Sequence, residues 1–405
     1  MRFAHIADCH LGAWRQPEMQ QLNLIAFEKA IDRCILEKVD FVLVAGDLFD
    51  TAVPSVDILK SAAGKLRELK EKNIDCFIVQ GSHDFSASGK SMVSVLEKAG
   101  LCADVSYNPL KKNYGGKSVL IAGLSGKKGG LEQNEISSKI FEGREKSDIS
   151  ILMVHTTVSE LSNLPSCVSS VPLKDIPEGF DYYALGHIHQ EGILESEGRT
   201  IAYTGSLFPT SFSELESQHN STFFIIEADG KITEKSIRRI IEPIKPVINV
   251  FVDANTENPQ TLAEKIKKEI EKNRNSFKDA IVTLRVSGIL ESGKPSDIDF
   301  NSIEAESKKS GAFFVLRNIS KLESREFELK IDENAGGIND IGKLEELSMD
   351  VAVKENVIPE DKRQVVEILL KKLDIEKMED ETNPTFCERL TKEMLNALAL
   401  EGDFK

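Results

Sequence analysis

The stretch Cys76-Phe77-Ile78-Val79-Gln80-Gly81-Ser82-His83-Asp84-Phe85 decides how the chain is read. An apolar run of strand length enters Gly81, and the turn then presents a hydroxyl, an imidazole and a carboxylate in succession. Polar groups at a strand end are either a plain turn or a place for chemistry. Working outward, the pattern recurs. Phe3-Ala4-His5-Ile6-Ala7 runs into Asp8-Cys9-His10-Leu11-Gly12, and Asp40-Phe41-Val42-Leu43-Val44-Ala45 runs into Gly46-Asp47-Leu48-Phe49-Asp50. Farther on, Ile149-Ser150-Ile151-Leu152-Met153-Val154 leads to His155, and Asp181-Tyr182-Tyr183-Ala184-Leu185 leads to Gly186-His187-Ile188-His189.

Between the first three runs, helical periodicity covers about Met19 to Lys38 and about Pro54 to Lys72. Alternating strands and helices predict an α/β fold, and near-continuous apolar strands predict burial on both faces. Ligands in such folds bind beyond the carboxyl ends of strands, so the polar clusters should converge. In extended chain, residues two apart face the same way, which would pair Asp8 with His10 and His187 with His189. His5, inside its strand, reads as core. Of the seven histidines in the chain, those at 10, 83, 155, 187 and 189 all occupy strand ends. Alone, Asp8-Cys9-His10 also reads as an Asx-type turn with a buried histidine, and the cluster after Gly81 as a polar turn; the joint pattern favours a site.

Two carboxylates and four or five imidazoles without a thiolate suit a borderline divalent ion such as Mn²⁺, Fe²⁺ or Zn²⁺. The set exceeds what one tetrahedral ion takes and matches two ions that share a bridging carboxylate. Hydrolysis of a phosphate ester is the chemistry such a pair supports.

The order Asp-x-His, Gly-Asp-x-x-Asp, Gly-Ser-His-Asp, His, Gly-His-x-His resembles the calcineurin-like metallophosphoesterase superfamily. Asp8-Cys9-His10-Leu11-Gly12, Ala45-Gly46-Asp47-Leu48-Phe49-Asp50 and Tyr183-Ala184-Leu185-Gly186-His187-Ile188-His189 resemble, more narrowly, the nuclease subunit of the double-strand-break repair complex. That is the Mre-eleven family, SbcD in bacteria, and the likeness runs to about residue 210, including Tyr203-Thr204-Gly205-Ser206. The resemblance implies a four-layer αββα sandwich with a small α+β capping domain and a C-terminal helical tail. It implies two divalent ions, taken to be Mn²⁺, with Asp8, His10 and His189 on one, His155 and His187 on the other, and Asp47 bridging. It casts His83 as the acid for the departing 3′ oxygen and Asp84 as the group orienting its ring. Ser82 stands where the family usually has a metal-binding Asn, and Asp50 where many archaeal and eukaryotic members have a second catalytic histidine. The implied activities are 3′–5′ exonuclease and single-strand endonuclease. The implied partners are DNA, a second copy of the chain, and an SMC-like coiled-coil ATPase.

Bulk properties frame this reading. The 405 residues exceed one typical domain. Boundaries are expected near Pro243-Ile244-Lys245-Pro246 and near residue 335, giving a nuclease domain (1–242), a capping domain (243–335) and a linker with docking helices (336–405). In the last of these, Val365, Val366, Ile368, Leu369, Leu370 and Leu373 form one apolar helix, and Phe386, Leu390, Met394 and Leu398 a stripe on a second. Packing on the chain itself and docking on a partner helix are both open. A net charge of −15 argues against nucleic-acid binding by bulk electrostatics, though not against phosphate met through bound cations. The six scattered cysteines define neither a disulfide framework nor a zinc ribbon. No apolar run approaches the roughly 20 residues that span a bilayer, and no signal-peptide core opens the chain, so a cytoplasmic protein is expected, and the resemblance implies association with the nucleoid. A second apolar face on the first helix, Leu22, Ile25 and Leu36, reads either as scattered surface residues or as a subunit contact, with the Ser91 to Ala99 helix, in a homodimer. Two other functions stay open: a phosphoesterase acting on nucleotides or phosphoproteins, and a DNA-end tether with weakened catalysis.

Overall fold

A computed structural model describes residues 1–325, apart from 87–88, 128–135, 137–140, 142, 162–169 and 218–220, and the single positions 349, 363, 389 and 390 beyond them. Of the two C-terminal helices expected from the sequence, only positions 363, 389 and 390 are described, all helical, and the rest lies outside the described residues. Strands β1 (Arg2–Ile6), β2 (Phe41–Ala45), β3 (Asp75–Val79) and β4 (Ala103–Asp104) alternate with helices α1 (Pro17–Leu36), α2 (Val56–Glu71) and α3 (Met92–Lys98). The chain then builds β5 (Leu110–Tyr114), β6 (Lys117–Leu124), β7 (Ile149–His155), β8 (Tyr182–Gly186), β9 (Glu191–Ser196) and β10 (Arg199–Thr204). After the short α4 (Phe212–Ser217), the hairpin β11 (Ser221–Glu227) and β12 (Ile237–Glu242) returns to the first sheet. The two six-stranded sheets run β12-β11-β1-β2-β3-β4 and β5-β6-β7-β8-β10-β9.

Alternation along the strands sorts the core into layers. Phe3, Phe41, Leu43, Ala45, Phe77 and Val79 of the first sheet meet Ile151, Met153, Tyr182 and Ala184 of the second. Their neighbours Ala4, Ile6, Val42, Val44, Cys76 and Ile78 face the helices, against Phe27, Ala30, Ile31 and Cys34 of α1 and Ala62, Leu66 and Leu69 of α2. The outer face of the second sheet, Leu152, Val154, Tyr183 and Leu185, is covered by Val158, Val171, Leu173, Ile176 and Phe180. This is the αββα sandwich, and both sheets read as continuous apolar strands because both are covered twice.

Strands β13 (Val247–Asp253), β14 (Ile281–Leu290) and β15 (Phe314–Ser324), with α5 (Pro259–Asn273) and α6 (Phe300–Lys309), form a small third sheet in the order β13-β14-β15. Most of it, through residues 247–254, 260–287 and 298–321, belongs to one compact unit with the sandwich. A second unit contains Asn255–Pro259 and Gly288–Asp297, where Thr256 N–H donates to the Ile289 carbonyl at 3.0 Å and Glu291 N–H to the Glu257 carbonyl at 3.2 Å.

The small sheet resolves the second face of α1. Leu22 is buried with Met19 and Ala26 against Ile281 and Leu316, and Ile25 packs on the same cluster. Neither is available for a subunit contact: the chain covers that face itself. Only Leu36 stays at the surface, 71% exposed.

His5 is core, as its place in the strand implied. Its ring lies between the sheets, Nδ1 2.9 Å from the Tyr182 hydroxyl, and burial pushes its pKa down to about 3. The unfolded chain therefore takes up a proton below about pH 6.5 that the folded chain refuses until about pH 3, and stability falls across that window. His5→Phe should flatten this fall, so that between pH 7 and pH 5 the wild type loses up to about 2 kcal/mol more than the variant. Denaturant unfolding at the two pH values checks this, and parallel losses would show that His5 is charged in the fold.

Candidate metal centre

The ends of five strands, β1, β2, β3, β7 and β8, bring their polar side chains together. The turns that follow them are held in rare backbone conformations. Asp8, His10 and Asp47 have φ of 48°, 43° and 45°, and His187 has φ of 93°. Non-glycine residues in this region cost on the order of 1–3 kcal/mol each and cluster at functional sites. The turns hold one another: Asp8 N–H donates to the Gly46 carbonyl at 3.2 Å, and His10 N–H to the Asp47 carbonyl at 2.9 Å. The expected pairing of residues two apart along extended chain is therefore corrected. Left-handed turns, rather than pleat, aim Asp8 and His10 together, and they send His187 and His189 to different places.

The ligand-bearing side chains fall into three groups, each with its donor atoms within 4.8 Å of one another: Asp8–His10–His189, Asp47–His155–His187 and His10–Asp50–His83. Asp47 joins the first two, with Oδ2 3.2 Å from His155 Nε2 and 3.7 Å from His10 Nε2. Its other oxygen, Oδ1, accepts the His83 N–H at 2.7 Å. Asp8 accepts the His187 N–H on both oxygens, at 2.9 and 3.0 Å. The glycines make the approach possible. A Cβ on Gly81 would fall on the Asp47 carboxylate, and one on Gly46, whose φ is +89°, would fall on the His155 ring.

Partners on the far ring nitrogens define which nitrogens face the cleft. His155 donates Nδ1–H to the Ala45 carbonyl at 3.1 Å, which turns Nε2 toward Asp47. His189 donates Nδ1–H to Glu214 Oε1 at 3.1 Å, which leaves its Nε2 as a lone pair 3.1 Å from His10 Nε2. The buried His155 Nε2, with no hydrogen-bond partner beside the Asp47 carboxylate, calls for positive charge between the two. The titration of the groups agrees. Burial works to lower the His155 pKa, yet Asp47 and Asp8 beside it raise it to about 10, so a proton is drawn to where positive charge is wanted. Burial works to raise Asp47, but His155, His10 and the His83 N–H hold it below the usual carboxylate range. Burial and the neighbouring His155 push His187 down to about 4, leaving it neutral and able to bind metal. Nitrogen and oxygen donors without sulfur, in two sets joined by one carboxylate, fit two divalent ions.

The remaining expected residues lie as follows. His83 is at the surface of the cleft, its ring edge-on to His10 at 4.8 Å between centroids, with Nδ1 2.8 Å from the Asp50 carbonyl. Asp84 does not orient that ring, which is a correction. Its carboxylate is buried and accepts three backbone N–H groups instead, from Gly81 at 3.0 Å, Phe49 at 3.0 Å and Leu48 at 3.2 Å. It braces the turns after β2 and β3, and the Asp50 carbonyl orients His83. Ser82 is half-buried between Gly81 and His83 on the turn that carries the Asp47 hydrogen bond. Sequence reasoning missed Glu214, more than twenty residues beyond His189, in a stretch with no ligand motif. The one visible hint was Thr210-Ser211 ahead of it, a helix-capping pattern.

Residues 1–191 match the family model for calcineurin-like phosphoesterases, the class the sandwich and the paired ligand groups define. Relatives described as "DNA double-strand break repair protein Mre11" match over more of the chain. That of Methanococcus maripaludis is 30% identical over 339 residues, covering 75% of this chain and 88% of the relative. Those of Archaeoglobus fulgidus and Methanopyrus kandleri are 33% and 29% identical over 224 and 247 residues, 51% and 56% of this chain. The chain spans about half the length of these two, 50% and 54%. The chain belongs to the Mre11 family of calcineurin-like phosphoesterases.

Gly81 has an ordinary backbone conformation, so Gly81→Ala tests the contact with Asp47 alone. Because the added Cβ also meets the buried Asp47 backbone N, it should lower the thermal midpoint, weaken Mn²⁺ binding and reduce phosphodiester hydrolysis on the order of 10²-fold. Wild-type Mn²⁺ affinity in a calorimetric titration would show that Asp47 tolerates displacement.

Proposed function

We propose that the chain is a two-metal-dependent DNA nuclease that hydrolyses phosphodiester bonds at DNA ends during double-strand-break repair. The observation that carries the reading is the meeting of two ligand groups on Asp47, with the Nε2 atoms of His155 and His189 turned inward by the hydrogen bonds behind them. The names of the relatives supply the substrate. Asp8, His10 and His189 would hold one ion and His155 and His187 the other, with Asp47 between them and Ser82 beside the second. When bound, such a pair of ions polarises the phosphate and lowers the pKa of a shared water.

The chain's own groups do the rest. The Asp50 carbonyl holds His83 by Nδ1, and the half-exposed ring would deliver a proton from Nε2 to the leaving 3′ oxygen. Asp84 keeps the turns in register through its three N–H bonds. Mn²⁺ is the proposed metal, and 3′–5′ exonuclease and single-strand endonuclease are the proposed activities. The small sheet, as the capping domain of residues 243–335, would position DNA. The segment 336–405 would dock an SMC-like ATPase. Homodimerisation would use exposed apolar residues of the helical layer, Val56 on α2 and Val95 on α3, 79% and 51% exposed.

His83→Ala should reduce cleavage by about 10²–10⁴-fold while Mn²⁺ occupancy stays unchanged, because an acid is lost and no ligand. Loss of bound metal in that variant would make His83 a ligand instead. Ser82→Asn should tighten the second ion in a Mn²⁺ titration; an unchanged isotherm would separate Ser82 from that ion. Mn²⁺-dependent degradation of linear duplex, measured beside hydrolysis of a chromogenic phosphodiester, tests the substrate. Activity on the small ester alone would favour a nucleotide or phosphoprotein phosphoesterase.

A further inference from the structure

Helix α4 is only six residues long, too short to hold its own shape, so side-chain anchors set its position. Three successive residues anchor it in three directions. Glu214 points to the metal centre, where its carboxylate receives His189 Nδ1–H at 3.1 Å. Leu215 is fully buried with Ile281 and Leu316 of the small sheet and Met19 and Leu22 of α1. Glu216 is gripped by Arg285 of β14 through two parallel bonds, Nε to Oε1 at 2.8 Å and Nη2 to Oε2 at 2.6 Å. The Glu216 carbonyl also accepts Asn249 Nδ2–H of β13 at 3.0 Å.

We propose that Glu214 is a positioning residue for His189, and that the Glu216–Arg285 pair couples this positioning to the small sheet. The cradle around Glu214 is built to hold a carboxylate. Thr210 N–H donates to Oε2 at 2.9 Å, the Thr210 hydroxyl to Oε1 at 3.1 Å, the Ser211 hydroxyl to Oε1 at 3.1 Å and the Ser206 hydroxyl to Oε2 at 3.4 Å. With these donors in place, the carboxylate accepts from Nδ1–H of His189 and fixes the ring so that Nε2 faces His10. A carboxylate behind a histidine also makes it a stronger ligand. The bidentate Arg285 fork holds the other side of the same turn, so a shift of β14 moves Glu214 and with it the ring. The single tryptophan of the chain reports on this junction: Trp14 donates Nε1–H to the Pro209 carbonyl at 2.9 Å and packs with Phe212 on the same cluster.

This rests on the reading of His189 as a ligand, and the experiment separates the two. Mn²⁺ alone is titrated into the full chain, followed by calorimetry and by Trp14 fluorescence, for wild type, His189→Ala, Glu214→Gln, Glu214→Ala and Arg285→Met. His189→Ala should weaken one of two binding steps; two wild-type steps there would overturn the ligand assignment itself. Given that loss, Glu214→Gln should weaken the same step by about 10–100-fold and leave the other unchanged, since an amide has one acceptor oxygen and cannot accept both the Thr210 N–H and His189 Nδ1–H as the two carboxylate oxygens do. Glu214→Ala should, in the metal-free protein, add an Nε2–H population to the His189 ¹⁵N spectrum, a change that mere loosening of the fold would not select. Arg285→Met, which touches no ligand, should weaken that step by several-fold. Wild-type affinity in Glu214→Gln with an unchanged tautomer in Glu214→Ala overturns the positioning role, wild-type affinity in Arg285→Met overturns the coupling, and equal weakening of both steps overturns both.

Discussion

The Asp47 carboxylate is the constraint on which the rest of the structure depends. It is buried, it carries charge, and it faces two imidazoles through one oxygen while the other takes a backbone N–H. Burying such a group is costly unless its partners are placed closely. The partners come from β1, β3 and β7, so these strands must end together. Their backbones must also approach more closely than side chains on Gly46 or Gly81 would allow.

The layers supply the rigidity this requires. Odd positions of the first sheet interlock with the second sheet, as in the edge-on pair Phe3–Tyr182 at 5.5 Å and 72°, and even positions lock against α1 and α2. With both faces committed, the strand ends cannot relax, and four left-handed residues persist in the turns beyond them. Asp84 completes the arrangement by tying the turn after β3 to the turn after β2 through three N–H groups. The small sheet adds a further constraint, closing the outer end of α1 and holding α4, so residues far from the cleft share in placing His189.

Much of this was legible along the chain. Apolar runs ending in glycine and polar residues mark β1, β2, β3, β7 and β8, because strand burial and the need for close approach leave local marks. Asp8, His10, Asp47, His155, His187 and His189 could be named for the same reason. The role of Asp84 could not, since a carboxylate next to a histidine looks like its partner, and only the turn geometry shows it occupied by backbone. Leu22 and Ile25 looked like a surface for another copy because nothing local tells which part of the same chain returns to cover them. Glu214 carries no motif at all.

The sequence by itself determined the alternation of strands and helices, the inventory of metal-binding groups and the order in which they occur. These are consequences of periodicity and residue chemistry, which act over a few residues. The tertiary structure alone decided which histidine joins which carboxylate, which ring nitrogen each presents, and what stands behind it. Those outcomes depend on left-handed turns and on contacts between residues far apart in the chain, such as His10 with His189 and Glu216 with Arg285, which become neighbours only when the sheets and helices have packed.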